Sequence, residues 1–226
     1  MNSNSPPPYQ PHPDGKSAPG QTNNHHSYPR IFDIAFTSST GRHMRVNEGS
    51  QDGPLLYIVD IHATKPHMIF HRQIQPNGTP TAPTQSTSTA TASFQHFSHA
   101  VDIRINERNM VLTRESRLRF DRGFGSPSLG GKKLVWVKAS RWKYLYLDCV
   151  DGDGVVYATY RPHGGVSTKK GGTLEVLGPC GVSAGAAGKD KESTLVDEII
   201  VTALVTIRVR MREGSGVSAS GAANAV

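Results

Sequence analysis

Thr194-Leu-Val-Asp-Glu-Ile-Ile-Val-Thr-Ala-Leu-Val-Thr-Ile-Arg-Val-Arg-Met211 is the one long apolar run of the chain, and it contains neither Gly nor Pro. Wound as a helix it is apolar on every side between Ile199 and Ile207, and such a helix has to be buried all round. The rest of the sequence is made of short strand-like segments. A β-rich chain with one fully buried helix near its end points to a barrel closed around that helix. Ile199, Ile200, Ala203, Leu204 and Ile207 are then its structural axis. Two local signals compete. Val, Ile and Thr dominate the run, and β-branched residues favour strands; Ile207–Arg212 even alternates like one. Against this, Thr194-Leu-Val-Asp197 fits a loose capping box, and Asp197 and Glu198 precede Arg208 and Arg210 as the helix dipole prefers. Propensity alone leaves helix and strand level.

Working outward, Ile31–Phe36, Leu55–Ile61, His67–His71, the end of Ala92–Ile105, Leu118–Phe120, Leu134–Val137, Tyr144–Cys149, Val155–Tyr160 and Thr173–Leu177 all have strand character. Val101, Ile103 and Ile105 alternate cleanly with Asp102 and Arg104. Many short strands separated by turn signals make a barrel or a sandwich. The segments 75–91 (Thr, Ser, Pro, Ala) and 179–190 (Gly, Ala) are expected as insertions. Residues 1–29 and 213–226 bury too little apolar surface to offset the entropy of ordering, and are expected as tails. One domain, 30–212, remains.

The start, Met1-Asn-Ser-Asn-Ser-Pro6, has neither the basic nor the apolar region of a secretory signal. No segment approaches the ~20 apolar residues of a transmembrane helix. Two cysteines, Cys149 and Cys180, make no disulfide framework. An intracellular protein is expected, cytoplasmic or peripheral to a membrane; oligomeric state is left open.

The net charge is +7, and Arg104–Lys143 alone carries eleven lysines and arginines against three acids. A basic stretch on an otherwise neutral protein suits an anionic partner: a phospholipid surface, an acidic protein or a nucleic acid. Arg117, Arg119, Arg122, Lys132, Lys133, Lys138, Arg141 and Lys143 are the candidate anion-binding residues. The bland alternative is a solvated face, and the alternative function is then a protein-interaction scaffold with no lipid role. Nucleic acid ranks lower: Trp142, Tyr144 and Tyr146 accompany the basic residues, but Trp136 lies between Val135 and Val137 as a core residue would.

Catalytic and metal motifs are not expected. His67 and His71 lie four apart in an extended run, so ~13 Å separates them at ~3.3 Å per residue, and His62 adds too little for a zinc site. Asp148–Gly154 lacks calcium-loop spacing and reads as a hairpin turn. Gly130-Gly-Lys-Lys133 and Lys169-Lys-Gly-Gly172 lack phosphate-loop spacing. Cys149 sits mid-strand as a structural thiol. No nucleophile elbow is present, and no cofactor is expected.

Taken in order, Phe36–His43, Leu55–His62, Lys65–His71, Trp142–Arg161 and Leu195–Ala203 resemble a group of fungal proteins in the tubby C-terminal-like superfamily. That superfamily also holds LURP-one-related proteins and phospholipid scramblases. The resemblance covers Ile31 to Arg212. It implies a closed antiparallel barrel threaded by one apolar helix, which tips the reading of the C-terminal run to helix. It also implies a non-enzymatic module that binds phosphoinositide through basic residues in the tubby branch. The chain lacks the acylated Cys cluster and the calcium spacing of scramblases. No tubby lipid-binding motif aligns residue by residue, so the basic stretch is analogous only.

Overall fold

Alternation of buried and more exposed side chains, regular along Val101–Ile105, Leu147–Asp151 and Gly172–Val176 and interrupted in Arg30–Phe36 and Arg122–Ser126, decides which face of the short segments points inward. In the computed structural model, which describes residues 29–37, 41–74, 85–95, 99–116, 120–140, 143–164, 171–177 and 186–220, these segments form twelve strands. They are β1 (Arg30–Phe36), β2 (His43–Glu48), β3 (Leu55–Ile61), β4 (Met68–Ile74), β5 (Gln85–Phe94), β6 (Val101–Ile105), β7 (Arg108–Arg114), β8 (Arg122–Ser126), β9 (Lys132–Lys138), β10 (Leu147–Asp151), β11 (Val156–Pro162) and β12 (Gly172–Val176). Each pairs antiparallel with its neighbour in sequence, and β1 pairs with β12 to close an up-and-down barrel. The closing register sets Phe32 against Leu174 and Ile34 against Gly172.

Helix α1 (Ala186–Ser220) occupies the barrel. Ile199, Ile200, Ala203 and Leu204 have no exposed surface, and Ile207 has 1%. The strand tendency of this segment loses for a simple reason. A segment enclosed by a closed barrel finds no free ladder to join, and only a helix satisfies its own buried N–H and C=O groups. Burial of each large aliphatic side chain adds roughly 1.5–3 kcal/mol. Small inward residues, Ala90 and Ala92 on β5 and Ala158 on β11, make room for it.

Several expectations need correction. The insertion expected over 75–91 is shorter, because Gln85–Thr91 belongs to β5 and pairs with β4 and β6. Its threonines suit a strand, while Ala90 and Ala92 carry too little hydrophobicity to announce one. The helix starts inside the expected 179–190 linker and runs past Arg212, since a helix once nucleated extends at little cost. The capping box at Thr194 is therefore not a helix start, and Arg208 and Arg210 are not in the last turn. No strand forms at Phe120; residues 117–119 lie outside the described residues, as does the N-terminal segment through residue 28.

Candidate functional site

Polar groups fix the helix at the end where it enters. Asp197, on the second helical turn of the buried run, accepts from Tyr57 Oη at 2.5 Å and from Arg72 Nη1 at 2.7 Å. Burial raises its carboxyl above the ordinary carboxylate value, against the pull of Tyr57 and Arg72. Burial, and then the Asp197 charge, pushes the Tyr57 hydroxyl well up. Glu198 is 2% exposed and accepts from Ser126 Oγ at 2.5 Å and from Ser128 N and Oγ at 3.1 and 2.6 Å. Midway, Trp136 Nε1 donates to Thr202 Oγ1 at 3.1 Å. Trp136 is fully buried, so it offers no ring for stacking on a base.

At the exit mouth the helix delivers three arginines, and a fourth comes from the first residue of β8. Arg210 has no exposed surface. It donates to the carbonyls of Tyr144 and Phe120 at 3.1 and 3.0 Å, with Asp121 3.8 Å away. Arg122, 1% exposed, donates to the His99 carbonyl and pairs with Glu213 at 2.6 Å. Burial lowers both guanidinium pKa values. Arg208 is half-buried; burial and the nearby Arg212 charge lower it too. It has no hydrogen-bond or ion-pair partner among the described residues, and its Nε is enclosed. Arg212, exposed one turn further on, lies 5.2 Å over the Phe94 ring. His67, Phe94, Val101, Val209, Arg212 and Glu213 help to line a cleft of about 180 Å³ beside them.

The connections between strands sort by charge. In an up-and-down barrel alternate connections lie at alternate ends. The described connections on the exit side carry exposed Arg42, Lys65 and Lys143. The acids there are engaged: Glu115 with Lys133, and Asp121 near Arg210. The described connections on the entry side carry Asp52, Glu107 and Asp153 and no lysine or arginine. Of the strand-end cations at that end, Arg30 pairs with Glu48, Arg72 with Asp197 and Lys132 with Asp151, while Arg108 stands exposed at the start of β7 with no ion pair among the described residues.

The basic residues singled out in the sequence do not share one face. Arg122 is buried at the exit mouth. Lys138 is exposed at the exit end of β9, and Lys143 is exposed with Nζ 4.4 Å from the Tyr146 ring. Lys132 is at the opposite end, bound to Asp151 at 2.6 Å and near Asp153 at 3.6 Å. Lys133 lies on the barrel wall against Glu115 at 2.5 Å. That pair needs Gly123: a Cβ there would stand 2.2 Å from Glu115 Oε1. Arg117, Arg119 and Arg141 lie outside the described residues. Sequence reasoning missed Arg208, Arg210 and Arg212 as site residues, although cations directly after an apolar axis mark where that axis leaves the core.

Two of the histidines share one carboxylate, and a third lies elsewhere. His67 Nδ1 accepts from Phe94 N at 3.0 Å, while His71 Nε2 and His43 Nδ1 face Asp60 at 3.3 and 2.7 Å. Among the described residues no three His, Cys, Asp or Glu side chains are placed to hold a metal ion. Cys149 is buried, and burial pushes its thiol well up; a thiol held protonated is a poor nucleophile. No described helix is long and apolar enough to cross a membrane. Fold and site together define a helix-plugged closed barrel with a basic mouth. No family model, curated protein or solved structure matches the chain.

Proposed function

We propose that the protein is a binding module that docks on an anionic phospholipid surface through the mouth where α1 leaves the barrel. One observation carries this: Arg208, half-buried and without a counter-ion among the described residues, next to Arg212 on the same helix face. A guanidinium kept in that setting lacks the compensation that buried charges ordinarily have, and an external anion supplies it. Arg42, Lys65 and Lys143 extend the positive field around the rim. The tubby-like resemblance supports the same reading. An acidic protein surface is the alternative occupant.

Pelleting with vesicles tests it. Vesicles rich in phosphatidylserine should carry the protein down, and purely zwitterionic vesicles should not. Each basic residue near the surface contributes about 1 kcal/mol. Binding should weaken steeply with salt, as the Debye length shrinks from ~10 Å at 0.1 M to ~3 Å at 1 M. Arg208→Glu with Arg212→Glu should reduce binding at least tenfold and leave a cooperative fold. Wild-type protein that stays in the supernatant with anionic vesicles at low salt refutes the lipid reading.

A further inference from the structure

We infer that the outer wall carries a second binding site, a cleft where β5, β6 and the β6–β7 turn meet, and that its ligand is a polar α-amino acid. The cleft measures about 420 Å³, and Ser88, Thr89, Thr91, Arg104, Asn106 and Glu107 line it. Ala90 is the one apolar residue among the described lining, so little there rewards a hydrocarbon ligand. Two breaks in regular structure shape the cleft. Phe70 faces Ala90 and His71 faces Ser88, so Thr89 is an extra residue with no partner on β4. A bulge of this kind re-aims side chains, and here three hydroxyl-bearing residues border one cleft. The Thr89 carbonyl accepts from the Asn106 N–H at 2.9 Å, which ties the turn to the bulge. Asn106 and Glu107 both hold positive φ, 44° and 68°, where glycine is the unstrained choice. Strained residues of this kind cluster at ligand clamps.

The charges name the ligand. Arg104 and Glu107 are exposed on the same cleft. Among the described residues neither side chain has an ion pair or hydrogen bond, with the other or with a third group. Opposite charges that stand apart on one cleft suit a molecule bearing both signs, its carboxylate on the Arg104 fork and its ammonium on Glu107. Only three positions separate Arg104 from Glu107 across a hairpin turn, so the two charges of the ligand lie close together, as they do on one α-carbon. The hydroxyls of Ser88 and Thr91 are further donors for the carboxylate. Thr89 Oγ1 is buried without a hydrogen-bond partner among the described residues, a cost that a polar side chain reaching it relieves. The site lies toward the entry end, away from Arg208 and Arg212.

Amide NMR spectra of the full chain, titrated with L-glutamine, test the inference. Saturable shifts at Thr91, Arg104 and Asn106 are expected at about 1 mM or below. The amide of γ-aminobutyrate, which lacks the carboxylate, and glutaramate, which lacks the ammonium, should each bind roughly tenfold more weakly. Arg104→Gln and Glu107→Gln should weaken glutamine binding as much. Both side chains are exposed, so both variants should keep the wild-type urea midpoint. Arg208→Glu with Arg212→Glu should leave glutamine binding unchanged, and a failure of vesicle binding strikes only the lipid reading. No saturable shift with the wild-type chain overturns the inference. So does equal binding of either single-charge analogue, or glutamine binding that survives both cleft variants. L-Leucine bound as tightly as L-glutamine overturns the assignment of a polar side chain.

Discussion

Two buried aspartates behave in opposite senses, because different forces dominate around each. Asp151 accepts from Lys132 and from the backbone N–H groups of Asp153 and Val155, and these hold its carboxyl below the usual range. Its folded value is depressed, so its stabilisation is present above the ordinary carboxylate pKa of about 4 and is lost as pH falls through and below it. Asp197 is the reverse. Burial raises its folded value, so its contribution is complete at low pH and is lost as pH rises through that raised value. Denaturant titrations of wild type, Asp151→Asn and Asp197→Asn between about pH 3 and 8 should separate the two. The gap between wild type and Asp151→Asn should narrow on acidification. The gap between wild type and Asp197→Asn should move in wild type's favour over the same range. Parallel pH curves for all three proteins would contradict both assignments. Asp197 also shows how a local sequence pattern misleads. Its spacing from Thr194 fits a capping box, but its partners, Tyr57 and Arg72, come from β3 and β4, far away in sequence.

Elements with strong alternation were legible; those with short or concealed patterns were not. The inward faces of β3, β6, β9 and β12 are apolar enough to read directly. β7 presents only Met110 and Leu112 inward, and β8 spends Gly123 and Gly125 on its outer face. The turn between β6 and β7 hides the hairpin further, because Asn106 and Glu107 both take positive φ, 44° and 68°, without a glycine. Hairpin turns of this kind are normally announced by Asn-Gly. Glu107→Gly relieves a left-handed conformation that costs an ordinary residue roughly 1–2 kcal/mol. Part of that is returned as glycine's larger unfolded-state entropy. The variant should be more stable by about 0.5–1 kcal/mol, measured by urea unfolding; an unchanged or lower midpoint would show that Glu107 holds the turn through some other contact. The candidate site was half legible for the same reason. Excess positive charge is a property of composition, but which cations meet at one mouth depends on strand count and closure. Lys132 and Lys143, eleven positions apart, end at opposite ends, while Arg122 and Arg210, far apart in sequence, come within each other's field.

At the scale of the molecule, α1 and the barrel cannot open independently. Solvent reaches Ile199–Ile207 only if the wall parts, and the wall encloses a void unless the helix fills it. Amide exchange of Ile199–Ile207 and of the β1–β12 closing pairs should therefore report one common free energy, equal to that of global unfolding. Faster exchange of the helix than of the closing strands would show that the axis slides out of an intact wall. Charge is organised at this scale too, with the exit mouth basic and cations and acids both present at the entry end, which would give the barrel a defined way up on the anionic surface proposed above. The position of α1 in the chain has a further consequence, for biosynthesis. All twelve strands leave the ribosome before the segment that fills their interior. Until Met211 clears the exit tunnel, the nascent sheet has an apolar lining and nothing to wrap around. A chain interrupted anywhere before residue 199 should be a client of chaperones or proteases rather than a smaller soluble barrel, and folding of the barrel should wait until α1 has emerged.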